Sequence, residues 1–271
     1  MTTLAAFRAG SLADRPDQGR LDASTVPLVL LHAFPLDSTM FHAVLPSLSD
    51  LPLVLVDLPT QGQSPSLGTA TVSAAADAVA ETFTQLNVER AVVAGVSMGG
   101  YVTMALMRHY PERLAGVVLM HTKDSADTPK AAEARLEMAR QVLAESSPAA
   151  AIGMAAKMVH RPELHEWVRQ AIGRAKPAGI AWAQRAMATR PDSFNTLRAC
   201  AIPGTVVAGL ADQLIPVAAA EDMAHALGRN GSLVLLDQVG HLSPIEVPEL
   251  TAALLRQAYN RAVGQRPGLA R

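Results

Sequence analysis

The stretch Gly95-Val96-Ser97-Met98-Gly99 lies between two different apolar patterns. The small and β-branched run at 91–94 predicts a buried strand, and the apolar run at 100–108 predicts a buried helix. The chain must therefore turn sharply at Ser97. Glycine suits both flanks, because a Cβ at either position would collide with the adjoining strand or helix. A serine raised on such a turn is typical of a nucleophile, and a tight strand–helix turn without chemistry is the alternative.

Composition excludes several classes of function. The chain has 271 residues, of which 49% are apolar and 17% charged, as in a globular protein. Its net charge of −1, without a block of like charge, argues against nucleic acid or an anionic membrane as partner. Aromatic residues are too scarce for a base-stacking platform. A single cysteine, Cys200, excludes an internal disulfide framework and a thiolate metal cluster.

The sequence also gives an expectation for the location of the protein in the cell. Residues 1–8 lack a basic segment followed by a long apolar one, so we expect no signal peptide. No apolar run is long enough for a membrane span. The expected location is the cytoplasm.

Strands and helices alternate over most of the chain. The first 25 residues are poorly patterned, and no strand is assigned there. Beyond them, apolar runs predict strands at 27–31, 53–57, 91–94, 116–120, 204–209 and 233–237. Helices are predicted at about 71–86, 100–109, 217–227 and 248–263. This order predicts an α/β fold with a doubly wound, mostly parallel sheet.

The alternation stops between Asp124 and about Arg190, where only helical patterns occur. Prolines at 148, 162 and 177 suit first helical turns and predict breaks between short helices. We therefore expect a core of residues 1–123 and 200–271, with a helical lid at 124–199 inserted between two core strands.

Two later loops carry the groups that a nucleophilic serine requires. A serine hydroxyl needs a base to take its proton and a carboxylate to orient that base. Asp212 lies three residues beyond the strand at 204–209, and His241 follows the last strand. The carboxyl ends of parallel strands are where α/β sheets place ligands. The order Ser97, Asp212, His241 is one that a class of serine hydrolases uses.

Five stretches of the sequence resemble those of the α/β-hydrolase fold family. The stretches that match are LHAFPLD at 31–37, DLPTQGQS at 57–64, GVSMGG at 95–100, GLADQLIP at 209–216 and GHLSPIEVP at 240–248. The resemblance implies that Ser97 is the nucleophile, Asp212 the acid and His241 the base. It further implies an oxyanion hole formed by the backbone amides of Phe34 and Met98, which needs no particular side chain.

The sequence departs from the family pattern in two loops. Ala33 stands where glycine is commoner, so its backbone must avoid a positive φ. Thr60 and Gln63 stand where the family usually has glycine and arginine, which puts the conformation of that loop in question. His32 is expected to order the oxyanion loop. Asp124 lies where some relatives carry the acid and is the alternative to Asp212.

The resemblance is closest to the small esterases and enol-lactonases, through AWAQRAMATRPD at 181–192 and DTP at 127–129. It implies a serine hydrolase that cleaves a small carboxylic ester or lactone. No cofactor is expected, since nucleotide-binding glycine motifs are absent and Arg169 breaks the one zinc-like helix pattern, which begins at His165. His121, just past a strand end, and Trp182, in the lid, are expected to bind substrate.

Two alternatives stay open at this point. The same triad supports perhydrolysis or cleavage of a carbon–carbon bond. A non-catalytic binding module on this fold is the second alternative, and the intact triad argues against it. The sequence assigns no oligomeric state.

Overall fold

The computed structural model of the protein describes residues 3–11 and 21–264. Over these residues, seven strands form one sheet in the order β1-β3-β2-β4-β5-β6-β7. Only β1 runs antiparallel to its neighbour; all other pairs are parallel. The strands are β1 Ala6–Gly10, β2 Leu28–Leu31, β3 Pro52–Val56, β4 Ala91–Val96, β5 Leu114–Met120, β6 Gly204–Gly209 and β7 Gly231–Leu236.

The central strands are buried along their whole length. Every residue of β2, β4, β5 and β6 is buried, which requires that both faces of the sheet be covered. Helices supply that cover, and α2 and α11 both pack against β5. The predicted fold class, a doubly wound and mostly parallel sheet, is confirmed.

Eleven α-helices belong to the described part of the chain. They are α1 Val72–Leu86, α2 Met98–His109, α3 Pro129–Ala144, α4 Ala149–Ile152, α5 Ala155–Met158, α6 His165–Gly173, α7 Pro177–Ala188, α8 Phe194–Arg198, α9 Val217–Leu227, α10 Ser243–Glu246 and α11 Pro248–Gly264. None of them is long and apolar enough to cross a membrane.

Six of these helices, α3 to α8, lie between β5 and β6. Pro162 begins a short 3₁₀ helix, Pro177 begins α7, and Pro148 directly precedes α4, so each predicted break occurs. The helix α7 is hydrogen bonded to the loop after β3. Gln61 Nε2 donates to the Gly179 carbonyl oxygen at 2.7 Å, and the Trp182 indole donates to that of Leu67 at 2.9 Å.

The loop after β3 keeps a left-handed turn although it lacks the usual glycine. Thr60 has a φ of 67°, which is costly for a β-branched residue. Its amide donates to the Pro65 carbonyl oxygen at 3.0 Å, and the Ser64 hydroxyl donates to that of Asp57 at 2.5 Å. The Asp57 carboxylate accepts the Gln63 amide at 2.8 Å. These bonds close the loop around the unfavourable residue.

An ion cluster joins α3 and the segment after α7 to the segment that follows β5. The Asp127 carboxylate accepts hydrogen bonds from Arg135 Nε at 2.5 Å and from Arg190 Nη2 at 2.8 Å. The Arg190 guanidinium also stacks on the Tyr101 ring, 4.2 Å from its centre. Burial alone would raise the pKa of Asp127, but the bonds from Arg190 and Arg135 lower it from 3.8 to about 2.

Asp127→Asn is therefore expected to lower the free energy of unfolding by about 3 kcal/mol, because the buried Arg190 guanidinium and the partly exposed one of Arg135 lose their counter-charge. The pKa of Asp127 is lower in the folded state than in the unfolded one, so its stabilising effect is complete above about pH 4 and disappears as pH falls toward 2. Urea unfolding at pH 6 and at pH 3 should show the difference between wild type and variant shrinking at the lower pH.

Glu166→Gln is a matched control for this prediction. Glu166 pairs with Arg169 in the same insertion at 2.7 Å, but its side chain is 60% exposed. An exposed pair of this kind contributes little, so the control should unfold like the wild type. Equal effects of the two substitutions would contradict the importance given to the Asp127 cluster.

Candidate active site

Ser97 lies on a strained turn between β4 and α2. Its φ of 53° and ψ of −110° place it outside the regions that non-glycine residues ordinarily adopt. A Cβ on Gly95 would lie 2.2 Å from the Gly99 carbonyl oxygen in α2, and one on Gly99 would lie 2.2 Å from that of Leu31 in β2. The predicted collision with helix and strand is thus confirmed, and it explains both glycines.

The structure brings Asp212 and His241 together. His241 Nδ1 lies 2.8 Å from Asp212 Oδ2, and both side chains are almost fully buried. The other oxygen, Asp212 Oδ1, accepts the backbone amides of Leu214 at 2.8 Å and Ile215 at 3.1 Å. The carboxylate is thereby fixed in one rotamer, with Oδ2 facing the imidazole.

The electrostatics of this pair favour a charged acid. Burial on its own would raise the pKa of Asp212. The neighbouring imidazoles of His121 and His241 outweigh burial and hold the pKa of Asp212 well below its ordinary range. The carboxylate therefore stays ionised at neutral pH, as a group that orients and stabilises an imidazolium must.

The serine turn adjoins Asp212 and His241 through the end of β5. The Ser97 amide donates to the Met120 carbonyl oxygen at 2.8 Å, and the Thr122 hydroxyl donates to the Ser97 carbonyl oxygen at 2.8 Å. Between those two residues stands His121, whose Nδ1 is 3.7 Å from Asp212 Oδ2. Its ring centre is 6.0 Å from that of His241.

The loop after β2 contains the predicted oxyanion amide of Phe34. Ala33 keeps a negative φ, as its Cβ demands. His32 is fully buried, and its Nε2 accepts the Leu58 amide at 2.8 Å while Nδ1 lies 3.0 Å from the Ala33 carbonyl oxygen. Burial lowers the pKa of His32, so it ties this loop to the next as a neutral group.

Met98 is the first residue of α2. Amides in the first turn of a helix have no partner within the helix, so they are available to an anion beside Ser97. The roles of Phe34 and Met98 in an oxyanion hole stay predictions.

Glu246 is a buried residue of the site whose role sequence reasoning missed. Its carboxylate accepts the amide of Gly240 at 2.9 Å and that of His160 at 2.7 Å. The His241 amide in turn donates to the Met158 carbonyl oxygen at 3.0 Å. The loop that carries His241 is thus bonded directly to the inserted helices. In the sequence, the only indication of this role was that Glu246 lies within the matching stretch GHLSPIEVP.

The two predicted substrate-binding residues occupy different surroundings. The His121 side chain is fully buried, with its Nε2 2.8 Å from the Ser243 hydroxyl. The Trp182 side chain faces the loop after β3, where its indole bonds Leu67, and the residue is 7% exposed. Contact of either residue with substrate stays a prediction.

Two cavities differ in their location relative to the candidate residues. One of about 520 Å³, lined by Met107, Leu114 and Ile202, lies at the amino-terminal ends of β5 and β6, away from Asp212 and His241. A second of about 410 Å³ adjoins the loop after β2. Its walls include Pro35, Leu36, Asp57, Gln61, Ala171 and Lys176. This second cavity lies between core loops and inserted helices.

Comparison with known proteins places the chain in a family. The sequence profile of the alpha/beta hydrolase family matches residues 28–254. A thermophilic esterase from Thermogutta terrifontis, solved with malate bound, is 33% identical and superposes with a TM-score of 0.85. That superposition covers 96% of this chain and 93% of the other. The chain belongs to the α/β hydrolase family, as its motifs predicted.

Curated relatives match over shorter regions. The 3-oxoadipate enol-lactonase 2 of Acinetobacter baylyi is 28% identical over 181 residues, which are 66% of this chain and 64% of that protein. The pimeloyl-[acyl-carrier protein] methyl ester esterase of Yersinia enterocolitica is 35% identical over 92 residues, 34% of each chain. The matches thus span between a third and just under two thirds of these relatives.

Proposed function

We propose that the protein hydrolyses a small carboxylic ester or lactone through an acyl-enzyme on Ser97. The observation that carries the proposal is the 2.8 Å bond between His241 Nδ1 and Asp212 Oδ2, in loops that adjoin the strained serine turn. A carboxylate bonded to Nδ1 keeps the proton there. Nε2 is thereby left as an acceptor for the serine proton.

The reaction follows from this proton placement. His241 Nε2 takes the hydroxyl proton as Ser97 Oγ attacks the substrate carbonyl carbon. The tetrahedral intermediate then collapses, and the imidazolium gives that proton to the leaving alcohol oxygen, or to the ring oxygen of a lactone. Water attacks the acyl-enzyme with His241 again as base, and the carboxylic acid leaves as Ser97 recovers its proton.

Stabilisation of the oxyanion is assigned to the amides of Phe34 and Met98. The first amide lies in the loop that His32 ties down, and the second begins α2. Preorganised amides of this kind typically contribute a factor of about 10² to 10³ in kcat each. Because only backbone atoms are involved, side-chain substitution at these two positions should disturb packing more than oxyanion binding.

The inserted helices are assigned the role of a lid. This role is supported by their hydrogen bonds to the loop after β3 and to the loop that carries His241. A cover there would exclude water and shape a small apolar site. The names of the relatives, esterases and an enol-lactonase, favour a carboxylic ester or lactone as substrate.

Labelling with a fluorophosphonate probe tests the proposal directly. Intact protein should gain one phosphonyl group on Ser97, detected by peptide mass spectrometry, and should lose its activity on aryl esters in parallel. A series of aryl esters of rising chain length, with several lactones, would then define the substrate. Absence of both labelling and turnover would favour a non-catalytic binding module.

Trp182→Ala tests the lid as a determinant of specificity. If Trp182 forms a wall of the substrate slot, its loss should shift preference toward bulkier acyl or alcohol groups. The ratios of kcat/KM across an ester series should then change by about tenfold. Trp167→Ala is the matched control, since Trp167 lies in the same insertion but is 39% exposed. A uniform fall for every ester, or only a lower melting temperature, would make Trp182 a packing residue.

A further inference from the structure

One buried imidazole has no step in the proposed reaction. His121 follows β5, and its side chain is fully buried against the Asp212–His241 pair. Its Nε2 lies 2.8 Å from the hydroxyl of Ser243, which is two residues beyond His241. Its Nδ1 is buried without a hydrogen-bond partner, and the carboxylate oxygen Asp212 Oδ2 lies 3.7 Å away.

The backbone holds His121 in this position at a cost. Its φ of 48° is uncommon for a non-glycine residue, and its amide donates to the Val207 carbonyl oxygen in β6 at 2.8 Å. A left-handed residue of this kind persists only where its surroundings enforce it, and such residues cluster at functional sites. The strained backbone at His121 therefore indicates a functional role for its imidazole.

The contacts of the ring determine its tautomer. A bare Nδ1 lone pair would face an ionised carboxylate and be repelled by it, whereas an N–H there is attracted. Nδ1 therefore carries the proton, and Nε2 accepts the hydroxyl proton of Ser243. Burial lowers the pKa of His121, which keeps the ring neutral.

We propose that His121 is a positioning residue for the acid and base: a neutral imidazole, oriented by Ser243, that presents its Nδ1–H to Asp212 Oδ2. The inference rests on the proposed function, in which Asp212 orients His241. The oxygen that bonds His241 then also faces the N–H dipole of His121, 3.7 Å away, which weakens its pull on the His241 proton and helps to hold the carboxylate in place.

Three charged or titratable groups face His121: Asp212 from the loop after β6, His241 from the loop after β7, and Glu246 from α10. The two carboxylates raise the pKa of His121, and His241 lowers it. Burial outweighs the carboxylates, so the His121 ring stays neutral.

Two substitutions at the same position test the proposal. His121→Phe keeps the ring volume but removes both nitrogens. We expect kcat to fall about fivefold with KM unchanged, because Asp212 loses a polar neighbour that helps to hold it against His241. The acid limb of kcat/KM should move up by about half a pH unit, since Asp212 then acts on His241 alone. His121→Asn tolerates the left-handed backbone and returns an amide donor near the position of Nδ1, so it should restore most of kcat and the wild-type pH profile.

Ser243→Ala provides an independent variant, in case His121→Phe fails to fold. It removes the hydroxyl that orients the ring, so it should shift the acid limb in the same direction with a smaller loss of kcat. If Phe, Asn and Ala variants all keep the wild-type kcat and pH profile and lose only thermal stability, His121 is a packing residue and the proposal is wrong.

Proton NMR of the bond between His241 Nδ1 and Asp212 Oδ2 separates this proposal from the proposed function. The Nδ1–H resonance of His241 should move in His121→Phe and return in His121→Asn, whether or not any ester is turned over. Failure of Ser97 labelling in the wild type would overturn the proposed function. An unmoved Nδ1–H resonance would overturn the role of His121 alone.

Discussion

Ser97→Ala is expected to abolish ester hydrolysis while leaving the fold intact. The substitution removes the attacking oxygen and almost no volume. Alanine at a φ of 53° bears the same backbone strain as serine, so the turn between β4 and α2 should persist. Loss of a nucleophile of this kind costs on the order of 10⁶ in kcat. The initial rate on an aryl ester should therefore fall to the level supported by the binding site alone.

The measurement needs a serine control and a fold control. Ser66→Ala, on an exposed loop serine, should keep wild-type turnover and labelling. The melting temperature and circular dichroism of Ser97→Ala should match those of the wild type. Residual turnover more than roughly 10³ to 10⁴ above the uncatalysed rate would point to another nucleophile, because oxyanion binding and positioning alone reach only that level.

The serine turn was predictable because its constraints are local. A buried parallel strand, two glycines and a buried helix are consecutive in sequence, and each restricts the backbone of its neighbour. The positions of Asp212 and His241 could be predicted for the same reason, since each lies in the loop that follows an apolar strand. The hydrogen bond between Asp212 and His241 is a tertiary contact. The sequence predicted it only through the order in which a class of serine hydrolases places these residue types along the chain.

The edge strand β1 was not predicted, and its composition explains why. Ala6–Gly10 consists of two alanines, a glycine, Phe7 and Arg8, and all five residues are only partly buried. It pairs antiparallel with β3 at the edge of the sheet, where one side of the strand stays unpaired. An edge strand of this length needs no apolar run, so the pattern that revealed the central strands was missing.

The surroundings of His121 were also beyond sequence reasoning. Its position after β5 predicted a place near the site, but the contact that matters joins it to Ser243, 122 residues later. Helices α4 and α5, of four residues each, are likewise too short to leave a periodic pattern. In both cases the decisive information lies in packing between distant segments.

Asp212→Asn is expected to reduce kcat by a factor on the order of 10⁴, and the structure gives a specific reason. The amides of Leu214 and Ile215 both donate to Asp212 Oδ1. In the asparagine variant that site must hold the carbonyl oxygen, so the NH₂ group is forced to face His241. A donor opposite Nδ1 requires Nδ1 to be the unprotonated nitrogen, which puts the proton on Nε2. His241 then cannot accept the proton of Ser97.

Asp124→Asn is the matched substitution, because Asp124 is the alternative acid. Asp124 follows β5, and it lines a small cavity with Tyr101, Arg190 and Ser193, whereas the imidazole of His241 is bonded to Asp212. Its conversion to asparagine should leave kcat within a few-fold of the wild type. Single-turnover acylation and melting temperature, measured for both variants, separate chemistry from folding. If Asp124→Asn lost the larger part of the acylation rate and Asp212→Asn kept it, the acid would belong at the end of β5. The forced amide orientation at Asp212 would then have no bearing on catalysis.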